Sequence, residues 1–143
     1  MKKLINEVEN VEQEMIQGLV KSRPEKLEKL EAGNIVVRKT RKQGKVALVS
    51  GGGSGHEPAH GGYVGEGMLD AAVAGPVFTS PTPDQVYEGI KAVATDAGVL
   101  CVVKNYTGDV LNFEMAVDMA KDEDIKADYV VVTLAHSLFK QNK

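Results

Sequence analysis

The sequence predicts an α/β fold: a single three-layer domain whose mainly parallel sheet is flanked by helices. Three observations carry this. Short apolar, Val-rich runs at 35–38, 46–50, 99–103 and 129–132 read as buried strands. Stretches with apolar residues at helical spacing lie among them. Strands that alternate with helices build a largely parallel sheet covered on both faces.

The elements follow in order. Leu4, Ile5, Val8, Val11, Met15, Ile16, Leu19 and Val20 share one helical face, with glutamates on the other, so a helix is expected over about 4–21. Arg23-Pro24 breaks it. Residues 25–31 alternate Glu and Lys around Leu27 and Leu30 and read as a short surface helix or turn. A strand is expected over 35–38, a basic turn over 39–44, and a second strand over 46–50. The small residues 71–74 suit a short, closely packed strand, and 75–84 a long turn. Thr82 followed by Pro83 is a helix cap with proline at the first helical position. Val86, Ile90, Val93 and Ala94 mark the helix, which stops near Gly98. After the strand 99–103 comes a helix over about 110–121, with Leu111, Met115 and Met119 on one face, and a last strand over 129–132.

Composition narrows the function classes. The 143 residues are 43% hydrophobic and 26% charged, enough for one domain with a core. A net charge of −3 gives no case for nucleic acid or an anionic membrane as partner. No apolar run approaches the ~20 residues of a membrane helix. Met1-Lys2-Lys3-Leu4-Ile5 leads straight into Asn6-Glu7, unlike a secretory signal. The single Cys101 lies in an apolar strand and reads as core. A cytoplasmic setting is expected.

The chemistry concentrates in Ser50-Gly51-Gly52-Gly53-Ser54-Gly55-His56-Glu57-Pro58. A glycine row after a strand lets backbone approach a ligand and offers a concave row of N–H donors. His56 stands at its lip, and Pro58 suits the first turn of a helix. A dinucleotide fingerprint fails because His56 stands where its third glycine belongs. A phosphate-binding P-loop fails because His56, not lysine, follows Gly55. His56-Glu57-Pro58-Ala59-His60 matches the zinc-protease pattern by letter, but Pro58 separates the two histidines and spoils the helix that the pattern needs. No metal site is expected. Lys104 ends the strand 99–103, and Asp109 follows near a helix start, where simple capping is the alternative reading. If the two strands are parallel neighbours, both loops face one crevice at the strands' carboxyl ends. Histidine, carboxylate and lysine together suit an oxygen-rich substrate: one takes a hydroxyl proton, one orients, one binds oxygen.

The nine residues from Ser50 to Pro58 resemble a known family. So do Phe78-Thr79-Ser80-Pro81-Thr82-Pro83-Asp84 and Lys104-Asn105-Tyr106-Thr107-Gly108-Asp109-Val110-Leu111-Asn112-Phe113-Glu114. All three are similar to the substrate-binding K subunit of dihydroxyacetone (glycerone) kinases, over residues 1 to about 132. The resemblance implies that Gly53, Ser54, Gly55, His56, Lys104 and Asp109 line the substrate site. It implies that His56 and Asp109 are the acid/base pair for the substrate hydroxyl. It places the nucleotide, ADP or ATP with Mg, on a separate L subunit, so that this chain binds no cofactor itself. A phosphotransferase-system phosphoryl donor and self-association are the further partners it implies.

The family's K subunits are more than twice this length, and a second domain carries a histidine that holds the substrate carbonyl covalently. Residues 133–143 do not resemble the family's continuation and are expected to be a tail from a truncation or a shifted frame; His136 is not expected to replace that histidine. Two functions follow. One is the dihydroxyacetone-binding part of a kinase, weak in binding and inactive without its L partner. The other is a non-catalytic, K-like binding or regulatory protein. The tail residues Leu134, Leu138 and Phe139 are expected to promote self-association.

Overall fold

The computed structural model describes residues 4–41 and 43–133. The tail residues Leu134, His136, Leu138 and Phe139 therefore lie outside the described residues.

Six strands and three α-helices form three layers, as the alternation predicted. The strands are β1 (Leu27–Lys29), β2 (Ile35–Arg38), β3 (Ala47–Ser54), β4 (Ala71–Val77), β5 (Val99–Lys104) and β6 (Ala127–Val132). They lie in the order β1-β2-β4-β3-β5-β6. The pairs β3–β4, β3–β5 and β5–β6 are parallel, while β2 runs antiparallel to both β1 and β4. The helices are α1 (Val11–Ser22), α2 (Pro83–Val93) and α3 (Thr107–Asp122).

Period-two alternation explains the layers. Ile35, Val37 and Val73 face α2 and α3, packing with Val86, Ile90 and Phe113. Val36 and Ala72 face the other way, onto Ile16 of α1. Each strand residue so placed is buried, because both sheet faces carry a helix.

Several boundaries differ from the sequence expectation. The first helix does not span 4–21. A 3-10 turn, Val8–Asn10, precedes α1, and Leu4, Ile5 and Val8 are exposed, with no sheet beneath them. Residues 27–29 form a strand rather than a surface helix or turn. Leu27 is buried, and Glu28 pairs with Arg41 at 2.7 Å on the sheet edge. Three residues are too few to show a period, and this strand owes its form to β2. Strand β4 runs on through Gly75, Pro76 and Val77, which read as turn. Its register with β3 jumps from Gly53–Gly75 to Ser54–Val77, so Pro76, which has no N–H to give, is the residue left without a partner. Thr82 caps α2 as expected: its hydroxyl accepts the Gln85 N–H, and the Gln85 side chain accepts the Thr82 N–H.

Candidate functional site

Strands β3 and β5 are parallel neighbours, so the segments after their carboxyl ends share one side of the sheet. Their pairing stops at Ser50–Val102, whereas β3 stays paired with β4 as far as Ser54 and β5 with β6 as far as Lys104–Val132. The two strands thus separate at their carboxyl ends. Beyond Ser50 each pairs only with its outer neighbour, which is the geometry of a ligand crevice in an open α/β sheet.

The glycine row is not a free loop, as the sequence suggested. Gly51, Gly52 and Gly53 belong to β3, and protein atoms fill the space their side chains would take. A Cβ on Gly51 would meet Phe113 of α3 at 3.0 Å. One on Gly53 would lie 2.6 Å from the Thr79 amide nitrogen, so the β4–α2 connection rests directly on this glycine. One on Gly52 would meet His60 Cε1 at 3.1 Å, Asp109 Oδ2 at 3.2 Å and Lys104 Cε at 3.3 Å. Three reactive side chains from three parts of the chain therefore close around one glycine.

Asp109 arrives there because α3 begins at Thr107, three residues earlier than expected. This puts the carboxylate in the first helical turn, where the helix dipole favours negative charge. It is buried and is not the cap, a position held by Tyr106. Its Oδ1 accepts a hydrogen bond from the Ser80 hydroxyl, and Asn112 of the same helix donates to the Pro81 carbonyl at 2.8 Å. Two bonds thus fasten the β4–α2 connection to α3. Ser80 fits there because residue 108 is glycine: a Cβ on it would meet Ser80 Oγ at 2.8 Å.

Lys104 is half-buried at the end of β5, with its ammonium 5.1 Å from the centre of the Tyr106 ring. Among the described residues it makes no hydrogen bond or ion pair, so its charge is available to an incoming oxygen.

His56 stands apart from this group. It is exposed, and its ring lies between Phe78, edge-on at 6.0 Å, and Tyr106, tilted at 6.3 Å. No hydrogen bond joins His56 to Asp109 among the described residues. Gly55 adopts φ 111°, which glycine tolerates, and the Phe78 ring lies across it. The helix expected after Pro58 is not formed. Residues 57–60 make turns, with the Glu57 carboxylate accepting the Gly55 N–H, and a 3-10 turn, Gly61–Tyr63, follows. Ser54 is buried and donates to the Gly75 carbonyl at 2.8 Å, so its hydroxyl serves the sheet rather than the crevice.

Sequence reasoning passed over His60 and Ser80. His60 entered only as the second histidine of a rejected zinc pattern, and Ser80 only as one letter of a motif. Burial, with Lys104 and His56 adding to it and Asp109 opposing, lowers the pKa of His60 to about 4. Behind the glycine row an apolar cavity of about 150 Å³ lies between α1 and the sheet, bounded by Met15, Ile16, Leu19, Ala74, Gly52 and His60.

Comparison with known proteins identifies the family. The Dak1 domain family matches residues 17–136. The chain is 60% identical, over 132 residues, to the dihydroxyacetone-binding subunit DhaK of a PTS-dependent dihydroxyacetone kinase from Listeria innocua, covering 92% of this chain and 40% of that protein. The crystal structure of the dihydroxyacetone kinase from C. freundii in complex with AMP-PNP and Mg2+ superposes with a TM-score of 0.87 at 43% identity, over 92% of this chain and 25% of that one. The dihydroxyacetone kinase operon co-activator Dha-DhaQ superposes with a TM-score of 0.78 at 41% identity, over 88% of this chain and 38% of that one. The chain thus spans about two fifths of the length of the DhaK subunits it matches and about one fifth of the longer kinases and triokinases.

Proposed function

The chain belongs to the Dak1 domain family, and from that premise we propose that its residues form the dihydroxyacetone-binding part of a dihydroxyacetone kinase. Residues 1–132 are read as the N-terminal domain of a K subunit. The observation that carries this reading is the closure of Asp109 and Lys104 on Gly52, at the carboxyl end of a strand whose neighbour has parted from it.

The proposed chemistry uses these residues in turn. Lys104 holds a substrate oxygen with an ammonium that makes no hydrogen bond or ion pair among the described residues and lies 5.1 Å from the Tyr106 ring centre. Gly53 and Gly55 let the β4–α2 connection and the Phe78 ring pack directly on the backbone beside the crevice. Asp109, with Oδ1 held by Ser80, presents Oδ2 as the atom that orients or takes a hydroxyl proton. His56, at the exposed rim, is the second member of the acid/base pair and faces the side from which a phosphoryl donor would come. The nucleotide and Mg belong to an L-type partner, with either free ATP or a phosphotransferase-system protein as the source of phosphate. Self-association and a cytoplasmic setting complete the reading. Among the described residues no helix is long and apolar enough to cross a membrane.

A second reading is a K-like regulator that binds dihydroxyacetone without turning it over. The 41% identity to an operon co-activator favours it. One assay separates the two. Dihydroxyacetone, the chain, an L-type subunit and Mg are combined, with ATP in one arm and a phosphotransferase-system phosphoryl donor in the other, and the triose phosphate is measured. The kinase reading expects product only with the L-type subunit present, and near-complete loss on His56→Ala or Asp109→Ala, with a smaller loss on Lys104→Ala. Product formation that His56→Ala leaves unchanged would overturn it. Binding without product supports the regulator.

A further inference from the structure

His60 is the reactive side chain that the reading above leaves without a task. Its ring edge and the Asp109 and Lys104 side chains all reach the same side of Gly52, within 3.1–3.3 Å of where a Cβ would be. Glycine at this position is what lets the three come together. The ring is only partly buried, and among the described residues it makes no hydrogen bond. Its bonding capacity is therefore open to a ligand. The cavity it also borders is walled mainly by apolar side chains, Met15, Ile16 and Leu19 among them, with Glu57 the charged exception. A polar ring that converges on one glycine with an ammonium free of ion pairs and a half-engaged carboxylate is placed for a ligand.

We propose that His60 is a ligand-contacting side chain of this site beside Lys104, Asp109 and His56, giving a hydrogen bond to an oxygen of a small hydroxy-ketone seated over Gly52 between Lys104 and Asp109. The proposal rests on the dihydroxyacetone-binding reading and adds a residue to it. His60 differs in kind from His56. With its pKa near 4 it stays neutral around pH 7, so one nitrogen donates and the other accepts. A neutral ring can bind a hydroxyl or carbonyl oxygen beside Lys104 without adding a second positive charge. Lys104 and Asp109 offset one another, which suits an uncharged triose better than its phosphate.

The test is an NMR titration of the whole 143-residue chain, labelled with 15N and 13C, using dihydroxyacetone as the probe. The proposal expects the His60 ring Cε1–Hε1 signal to move with the same midpoint as the Gly53 and His56 amides. His60→Phe should raise that midpoint by about tenfold, the scale of one lost hydrogen bond in a closed site. His60→Asn, which keeps a donor and an acceptor, should raise it less. If His60→Phe fails to fold, the ring signal and His60→Asn decide. Movement of Gly53 and His56 with a still His60 ring overturns the proposal and leaves the binding reading standing. No movement at any of these residues overturns both.

Discussion

The Ser80 hydroxyl donates a hydrogen bond to Asp109 Oδ1, joining the β4–α2 connection to the first turn of α3. It fixes which carboxylate oxygen is free. With Oδ1 engaged, Oδ2 faces Gly52, and the acid/base candidate is aimed before any ligand arrives. Ser80→Ala should therefore weaken dihydroxyacetone binding by about 1–2 kcal/mol, the worth of a bond to a charged group. Gly108→Ala should act in the same direction, because its Cβ would meet Ser80 Oγ at 2.8 Å. Calorimetric titration checks both, and Ser80→Thr should recover part of the loss.

Two neighbouring glycines should fail in different ways. At Gly53 an added methyl meets backbone, the Thr79 nitrogen at 2.6 Å, which cannot move without shifting the β4–α2 connection. Gly53→Ala should destabilise the fold by about 1–3 kcal/mol, as overpacking does. At Gly52 the methyl meets the side chains of His60, Asp109 and Lys104. Gly52→Ala should strain a backbone at φ 158° and also displace all three groups, so that it removes binding as well as costing stability. Thermal melts alongside ligand titration separate the two outcomes.

Stability should fall in two steps as the solution is acidified. Burial, aided by Lys104 and His56 and opposed by Asp109, takes His60 from 6.5 to about 4 on folding. Between those values the unfolded chain holds the extra proton, so stability rises with pH across that window. The contribution is complete above pH 6.5 and disappears as the pH falls toward 4. For a partly exposed ring this amounts to on the order of 2 kcal/mol. His60→Asn should flatten this step. The second step belongs to Asp70. Burial opposes its charge, but Lys45 at 2.5 Å, the Leu48 amide at 2.9 Å and Arg38 at 3.1 Å outweigh it and hold its pKa below 3.8. Its contribution is present above 3.8 and lost as the pH drops through the lower folded value. Urea melts from pH 8 to pH 3 resolve the two.

The long periodic elements were legible in the sequence, and so was the crevice. Val-rich runs gave the strands, and Thr82-Pro83 marked the start of α2 to the residue. Short or context-dependent features were not. Leu27–Lys29 became a strand because β2 lies beside it. Residues 4–7 lacked a partner for their apolar side chains, and the helix began later. The glycine row read as a loop because sequence shows missing side chains but not what fills their space. His60 could have been found from its spacing to His56 only by asking what else brings two histidines to one turn. Ser80 carried no such signal, since its role depends on α3 starting at Thr107.

The central claim is that dihydroxyacetone sits over Gly52 and Gly53, held by Lys104 and Asp109. A crystal of the chain soaked in dihydroxyacetone tests this most directly. The account predicts a triose at the carboxyl ends of β3 and β5, with one oxygen within hydrogen-bond reach of Lys104 Nζ and another of Asp109 Oδ2. A triose found instead in the apolar cavity beneath α1, with Lys104 and Asp109 uncontacted, would contradict it.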